Sequence, residues 1–333
     1  MGLFWLGFFV LVALLLVLDL GVLHRKQKQP TMRSSIGWTI FWVSIGLSFA
    51  GVVYLIYENN WNGVVLTGCP PGHHDGADAT ITYVSAYLLE QALSVDNLFV
   101  IALVFKKFKI PLQYQHRVLF WGILGAIGFR VVMLGGGAFL TQRLSWVFYV
   151  FGAYLVYQGI GLLRGGEEEE EDPTKSWAVK RIRRFVRIEE ADYGGAFSVR
   201  IDGRRAFTMV ALCLVTVELT DIVFAMDSIP AVLSVSQETF IMITSNIFAI
   251  LGLRTMYFVL AGALVQFEYL KFALGVLLAG IGAKMLLHSY YNIPHWISLL
   301  GIAAILAVGV LASVIATKRN PPAPEEDPGS SLG

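Results

Sequence analysis

The chain has 333 residues, of which 56% are hydrophobic and only 15% charged, with a formal net charge of +1. Soluble domains run at about 45–50% apolar and about 25% charged, so this composition excludes an ordinary soluble domain and points to a polytopic membrane protein. Two cysteines, Cys69 and Cys213, exclude a disulfide framework and a Cys-x-x-Cys site.

With about 20 apolar residues per crossing, nine spans follow one another near 3–23, 36–57, 80–104, 117–140, 144–164, 206–234, 238–262, 268–288 and 294–316. Met1 to Leu23 lacks a basic leader and a small-residue cleavage site, so it reads as a retained span rather than a signal peptide. Lys and Arg are kept on the cytoplasmic side. The first loop carries Arg25, Lys26, Lys28 and Arg33 and is therefore inside. The second, 58–79, has Glu58, Asp75 and Asp78 but no Lys or Arg, and is outside. Lys106, Lys107, Lys109 and Arg117 place the third inside. The loop 165–205, with nine basic residues from Lys175 to Arg205, and the tail with Lys318 and Arg319 are also inside. The pattern predicts an all-α protein with an external N-terminus and a cytoplasmic C-terminus.

The chain accordingly divides into 1–79, two spans and an external loop; 80–164, three spans; 165–205, a cytoplasmic insert; 206–290, three spans; 291–317, a ninth span; and 318–333, a tail. In the insert, Glu167 to Glu171 reads as solvated surface. Lys180 to Arg187 interleaves basic and apolar residues, a pattern that touches anionic lipid head groups rather than nucleic acid. Val199 to Arg205 reads as a hairpin around Asp202-Gly203. The Pro-, Glu- and Ser-rich stretch from Asn320 onward reads as disordered.

The sixth span holds Val217-Glu218-Leu219-Thr220-Asp221-Ile222-Val223-Phe224-Ala225-Met226-Asp227-Ser228-Ile229-Pro230. Each charge at a helix centre costs roughly 2.5–3.5 kcal/mol on insertion scales, so three carboxylates cost about 8–10 kcal/mol and mark a functional site. A looser copy, Glu90-Gln91-Ala92-Leu93-Ser94-Val95-Asp96-Asn97-Leu98-Phe99, lies in the third span. Aligning the two brings Gly128-Phe129-Arg130 over Gly252-Leu253-Arg254, Gly137-Ala138 over Gly262-Ala263 and Gly152 over Gly275, at an offset of 123–125 residues. Copies of three spans each must be inverted relative to one another, an arrangement in which transporters place substrate sites at the repeat interface.

Glu218 and Asp221 are three apart and share a helix face, whereas Asp227 turns to the opposite side. Pro230 lacks an N–H and crowds the carbonyl of Met226, which predicts a kink that frees an oxygen near Asp227. Glu90, Ser94 and Asn97 line one face of their helix while Asp96 points away. Ser228 and Asn246 add further polar lining; Asn246 serves equally well as an oxygen ligand or in an interhelical hydrogen bond. Arg130 and Arg254 need anionic partners at mid-membrane, and the five acidic residues are the obvious ones. Five carboxylates against two arginines leave a surplus that calls for a cation. The histidines at 24, 73, 74, 116, 288 and 295 lie at span ends or in loops, so the core offers oxygen ligands, which suit Mg²⁺, Ca²⁺ or Mn²⁺. The outer loop Cys69 to Asp75 reads as a solvated turn, and Asp19 as a structural residue.

These strings resemble the TerC family of integral membrane proteins in its nine-span form. The matching residues are Asp19 to Val22, Glu90 to Val100, Val217 to Ala231, Thr244 to Arg254 and Tyr257-Phe258. Past Pro230 the chain departs from the family pattern over Ser234 to Glu238. The resemblance implies manganese export from a bacterial inner membrane, with Glu90, Asp96, Glu218, Asp221 and Asp227 at the metal site. It implies no resident cofactor, Mn²⁺ being the substrate. Carboxylates can trade a metal for protons, although nothing in the residues demands that coupling. The rival is a membrane scaffold or assembly factor in which carboxylates and arginines form a structural network. An enzyme is the remotest option, since neither a nucleophile–base pair nor a His-Glu-x-x-His motif is present. The oligomeric state is not legible.

Overall fold

In bilayer, backbone groups must be satisfied within the chain, so apolar spans fold as helices. The computed structural model describes residues 2–23, 32–61, 75–164, 188–189, 193–201, 204–263, 268–287 and 294–319, with 181 and 191 as single residues. Five helices precede the insert: α1 (Gly2–Leu23), α2 (Met32–Glu58), α3 (Gly76–Lys107), α4 (Leu112–Arg143) and α5 (Ser145–Leu163). The strands β1 (Ile188–Glu189), β2 (Ser198–Ile201) and β3 (Arg204–Thr208) follow. Five more helices complete it: α6 (Met209–Val235), α7 (Thr239–Leu251), α8 (Leu253–Ala263), α9 (Glu268–Leu287) and α10 (His295–Arg319). The protein is an all-α polytopic membrane protein apart from this small sheet.

Among the described residues six helices are long and apolar enough to cross a membrane, or seven if α7 and α8, bent by 41°, count as one broken span. Two shorter apolar helices run Trp5–Asp19 and Phe272–Leu287. The break falls at Gly252, between the two halves of the seventh expected span. Pro230, where the sequence predicts a kink, lies inside α6, and the helix continues to Val235. Proline removes one backbone donor. The run Ile229-Pro230-Ala231-Val232-Leu233 around it is buried.

Only four residues, Phe108 to Pro111, join α3 to α4, with Lys109 at φ +52° making the turn. The main neighbours of both helices are nevertheless elsewhere: α4 lies along α6, and α3 along α7. Gly122 faces Val217, Gly125 faces Glu218 and Gly137 faces Ile229 and Leu233, so α4 and α6 run parallel. The closest helix pair is α5 with α9, which run antiparallel. A Cβ at Gly152 would lie 3.1 Å from the Gly282 carbonyl, and one at Gly159 would lie 2.6 Å from the Gly275 carbonyl. Small residues here let two backbones cross at close range.

Aromatic rings fasten α1 and α2 to α7, with centroids 4.6 Å apart for Phe49–Phe248 and 6.0 Å for Phe8–Phe248. Trp42, 1% exposed, packs beside the Gly252 break.

The hairpin expected around Asp202-Gly203 is present as β2 and β3, paired from Ser198↔Phe207 to Ile201↔Arg204. An unforeseen third strand, β1, pairs parallel to β3. The sheet is tied to the helices at two points. Thr208 Oγ1 accepts from the Ala211 N–H at the start of α6 and donates to the Ala196 carbonyl. Arg117 of α4 donates to the Gly195 carbonyl at 3.0 Å and lies over the Phe197 ring. Gly195, at φ +72°, has the Tyr114 ring where a Cβ would stand. The acidic run 167–171, most of the basic segment 180–187, the outer loop 69–74 and the tail from 320 lie outside the described residues.

Candidate functional site

Arg130 reaches from α4 into the space between α3 and α6 and is 1% exposed. Its Nη1 pairs with Glu90 Oε1 on α3. Its Nη2 lies 3.0 Å from Asp221 Oδ1, and its Nε 3.3 Å from Asp221 Oδ2, so the fork grips that carboxylate at two points. Planar two-point contacts of this kind are what a guanidinium offers and an ammonium does not.

Glu90 is 0% exposed, and its Oε1 also accepts from Ser94 Oγ one turn later. Its Oε2 has no hydrogen-bond partner among the described residues. An ionised carboxylate wholly out of water with half its accepting capacity unused is costly unless a ligand engages it. Asp221 is 15% exposed, so the cluster opens on the α6 side.

Glu218 precedes Asp221 by three residues on the same face, as the spacing predicts. Its carboxylate lies on the backbone of α4, where a Cβ at Gly125 would fall 2.5 Å from the carboxylate carbon. Glycine at 125 is thus what admits Glu218 beside the Arg130 cluster. One guanidinium faces two carboxylates here, with a third beside them, so negative charge is in surplus.

Asp227 turns to α5, as the helical arithmetic predicts for a residue nine positions from Glu218. Its Oδ1 accepts from Tyr154 Oη at 2.6 Å and from Gln158 Nε2 at 3.0 Å. These two partners escaped the sequence reading. Their signal is a tyrosine and a glutamine four apart on α5, which puts both on one face.

Arg254 does not find its partner among the five acidic residues singled out above. Its Nη2 lies 2.8 Å from Asp19 Oδ1 and 3.3 Å from the Asp19 carbonyl oxygen. The expectation is corrected because α1, far away in the chain, delivers a carboxylate to α8 that no local pattern reveals.

Of the remaining lining residues, Asn97 and Ser228 are buried. Asn246 is 1% exposed, and neither atom of its amide has a partner among the described residues. Thr244 and Ser245 beside it donate back to their own helix at Phe240 and Met242. Asp96 lies on α3, with its side chain outside what the structure describes. Among the described residues no three His, Cys, Asp or Glu side chains converge as a group able to hold a metal ion. The structure therefore joins Glu90 and Asp221 through Arg130, sets Glu218 beside them and leads Asp227 elsewhere.

Helices crossing a bilayer around a buried, ion-paired charge cluster define an integral membrane protein with a polar interior. The chain belongs to the TerC family of integral membrane proteins, whose pattern it matches over residues 75–321, from the start of α3 into the tail. It is 38% identical to an uncharacterized membrane protein of Myxococcus xanthus, over 97% of this chain and 96% of that one. It is 37% identical to an uncharacterized membrane protein of Rickettsia bellii, over 93% and 97% of the two chains. It is 39% identical to a Photorhabdus laumondii protein named "Putative membrane-bound redox modulator Alx", over 95% and 96%. No solved structure matches this chain.

Proposed function

We propose that this protein exports divalent metal cations, Mn²⁺ foremost, from the cytoplasm. In this reading it has nine spans, an external N-terminus and two inverted three-helix units that alternate access to an acidic site. The observation that carries it is the buried cluster of Glu90, Asp221 and Arg130 with Glu218 beside it, whose charges do not cancel. Breaking even against that burial requires a counter-cation, and carboxylate oxygens without imidazole or thiolate favour a hard dication. The one thiol in the described interior, Cys213, is 0% exposed.

Support for the inverted units comes from α5 and α9. Gly152 meets Gly282 and Gly159 meets Gly275, and each glycine of α5 is 123 residues from the one its neighbour meets. Reciprocal contacts of that kind are what a two-fold relation between the units produces. The α4–α6 and α3–α7 pairings exchange under the same operation.

A membrane scaffold is the second reading, favoured by the buried Arg254–Asp19 pair and by the absence of three converging ligands among the described residues. The redox name borne by the Alx relative is compatible with control of a redox-active metal. Flux of radioactive Mn²⁺ in liposomes containing only this protein separates the readings. Uptake above empty liposomes is expected for the exporter, and its absence, with the protein folded and inserted, leaves the scaffold.

A further inference from the structure

We infer that Arg130 is the resident cation of the empty site: its guanidinium holds the place between Glu90 and Asp221 that a divalent cation takes on loading, and it withdraws when the metal binds. The inference rests on the transport reading and names a step within it.

The geometry argues as follows. Arg130 bridges α3 and α6, the helices that carry the acidic residues, from a third helix. It grips Asp221 at two points but reaches only one oxygen of Glu90, leaving Glu90 Oε2 without a partner at 0% exposure. That oxygen keeps its accepting capacity for a second cation beside the guanidinium. Asp221 is 15% exposed, so the pair is not sealed on that side. Arg254 differs in placement: its partner Asp19 lies on α1, apart from the acidic helices, and is not a member of their cluster.

A tethered cation solves a problem that any exporter with carboxylate ligands faces. After release, bare buried carboxylates oppose the return of the empty carrier, because uncompensated buried charge is expensive. A guanidinium on a flexible stem neutralises them in the empty state and competes with the metal in the loaded one. Removing it has two opposite consequences: metal binds more tightly, and the empty carrier returns more slowly.

The test uses the full-length protein in liposomes, comparing net Mn²⁺ efflux with Mn²⁺-for-Mn²⁺ exchange, and Mn²⁺ affinity in detergent. Exchange needs only the loaded carrier to reorient, while net efflux needs the empty one. For Arg130→Gln we expect affinity to rise about tenfold and net efflux to fall at least about tenfold more than exchange does, per folded molecule. Arg130→Lys, which keeps the charge but loses the fork, retains net efflux and still binds Mn²⁺ more tightly, and it serves if the Gln protein does not fold. Exchange and net efflux falling together, or unchanged Mn²⁺ affinity in both variants, overturns the inference. A wild-type protein showing neither flux overturns the transport reading instead.

Discussion

Arg254 and Asp19, 235 residues apart, meet at 2.8 Å and bind α8 to α1 across the interior. Both side chains are removed from water, Arg254 at 1% and Asp19 at 7% exposure. Breaking one partner of such a pair strands the other and typically costs about 3–5 kcal/mol. Asp19→Asn is therefore expected to lower the melting temperature and membrane abundance together. Adding Arg254→Gln should recover part of both, since it removes the stranded charge. A double mutant as unstable as the sum of the singles would show that the pair is not coupled.

Asp221→Asn keeps the side chain's size but removes the charge a hard dication needs. Glu90 remains to hold Arg130, so the guanidinium is not left alone. Membrane abundance is expected to stay near wild type while Mn²⁺ export falls steeply. If stability collapses instead, and Arg130→Gln in the same chain restores it, Asp221 is a partner of the arginine and no more. Full export by a folded Asp221→Asn protein would remove the residue from the site.

The α5–α9 crossing sets a steric prediction. At Gly159 an added Cβ would stand 2.5 Å from the Ala279 backbone nitrogen, while at Gly161 nothing lies within 4 Å. Overpacking a close contact costs about 1–3 kcal/mol. Gly159→Ala should lower thermal stability by that order, and Gly161→Ala should leave it almost unchanged. Equal effects at the two positions would contradict the crossing.

Orientation is open to labelling. In a protein with Cys69 and Cys213 replaced by serine, a cysteine at Ala77 should react from outside, and one at Ser198 only after permeabilisation. Both positions are exposed. Gly76 is unsuitable, because a Cβ there would lie 2.8 Å from the Glu58 side chain and from the Tyr54 carbonyl. The opposite pattern would reverse the proposed topology.

Selectivity follows from the ligand atoms. Raw affinity runs with the Irving–Williams order, but an oxygen-only site holds and releases Mn²⁺ more readily than Zn²⁺ or Cu²⁺. At equal free-ion concentrations Mn²⁺ should move faster than Zn²⁺ in a flux competition. Faster Zn²⁺ would point to ligands other than these carboxylates.

By itself the sequence determined the apolar helical character of the chain, the placing of the acidic residues within apolar helices and the shared face of Glu218 and Asp221. It also located the hairpin around Asp202-Gly203. Each of these rests on neighbours within a turn or a strand: burial cost per residue, the helical repeat of about 100° and a two-residue turn. Tertiary structure alone decided which carboxylate each arginine meets. Arg130 and Arg254 align in the sequence, yet one joins Glu90 and Asp221 while the other takes Asp19 from α1. It also decided that Glu218 rests against Gly125, that Asp227 is held by Tyr154 and Gln158, and that a helix break falls at Gly252. Those outcomes depend on how helices far apart in the chain cross. A buried charge at mid-membrane announces from the sequence that it needs a partner, but only the crossing of the helices selects which one comes within reach.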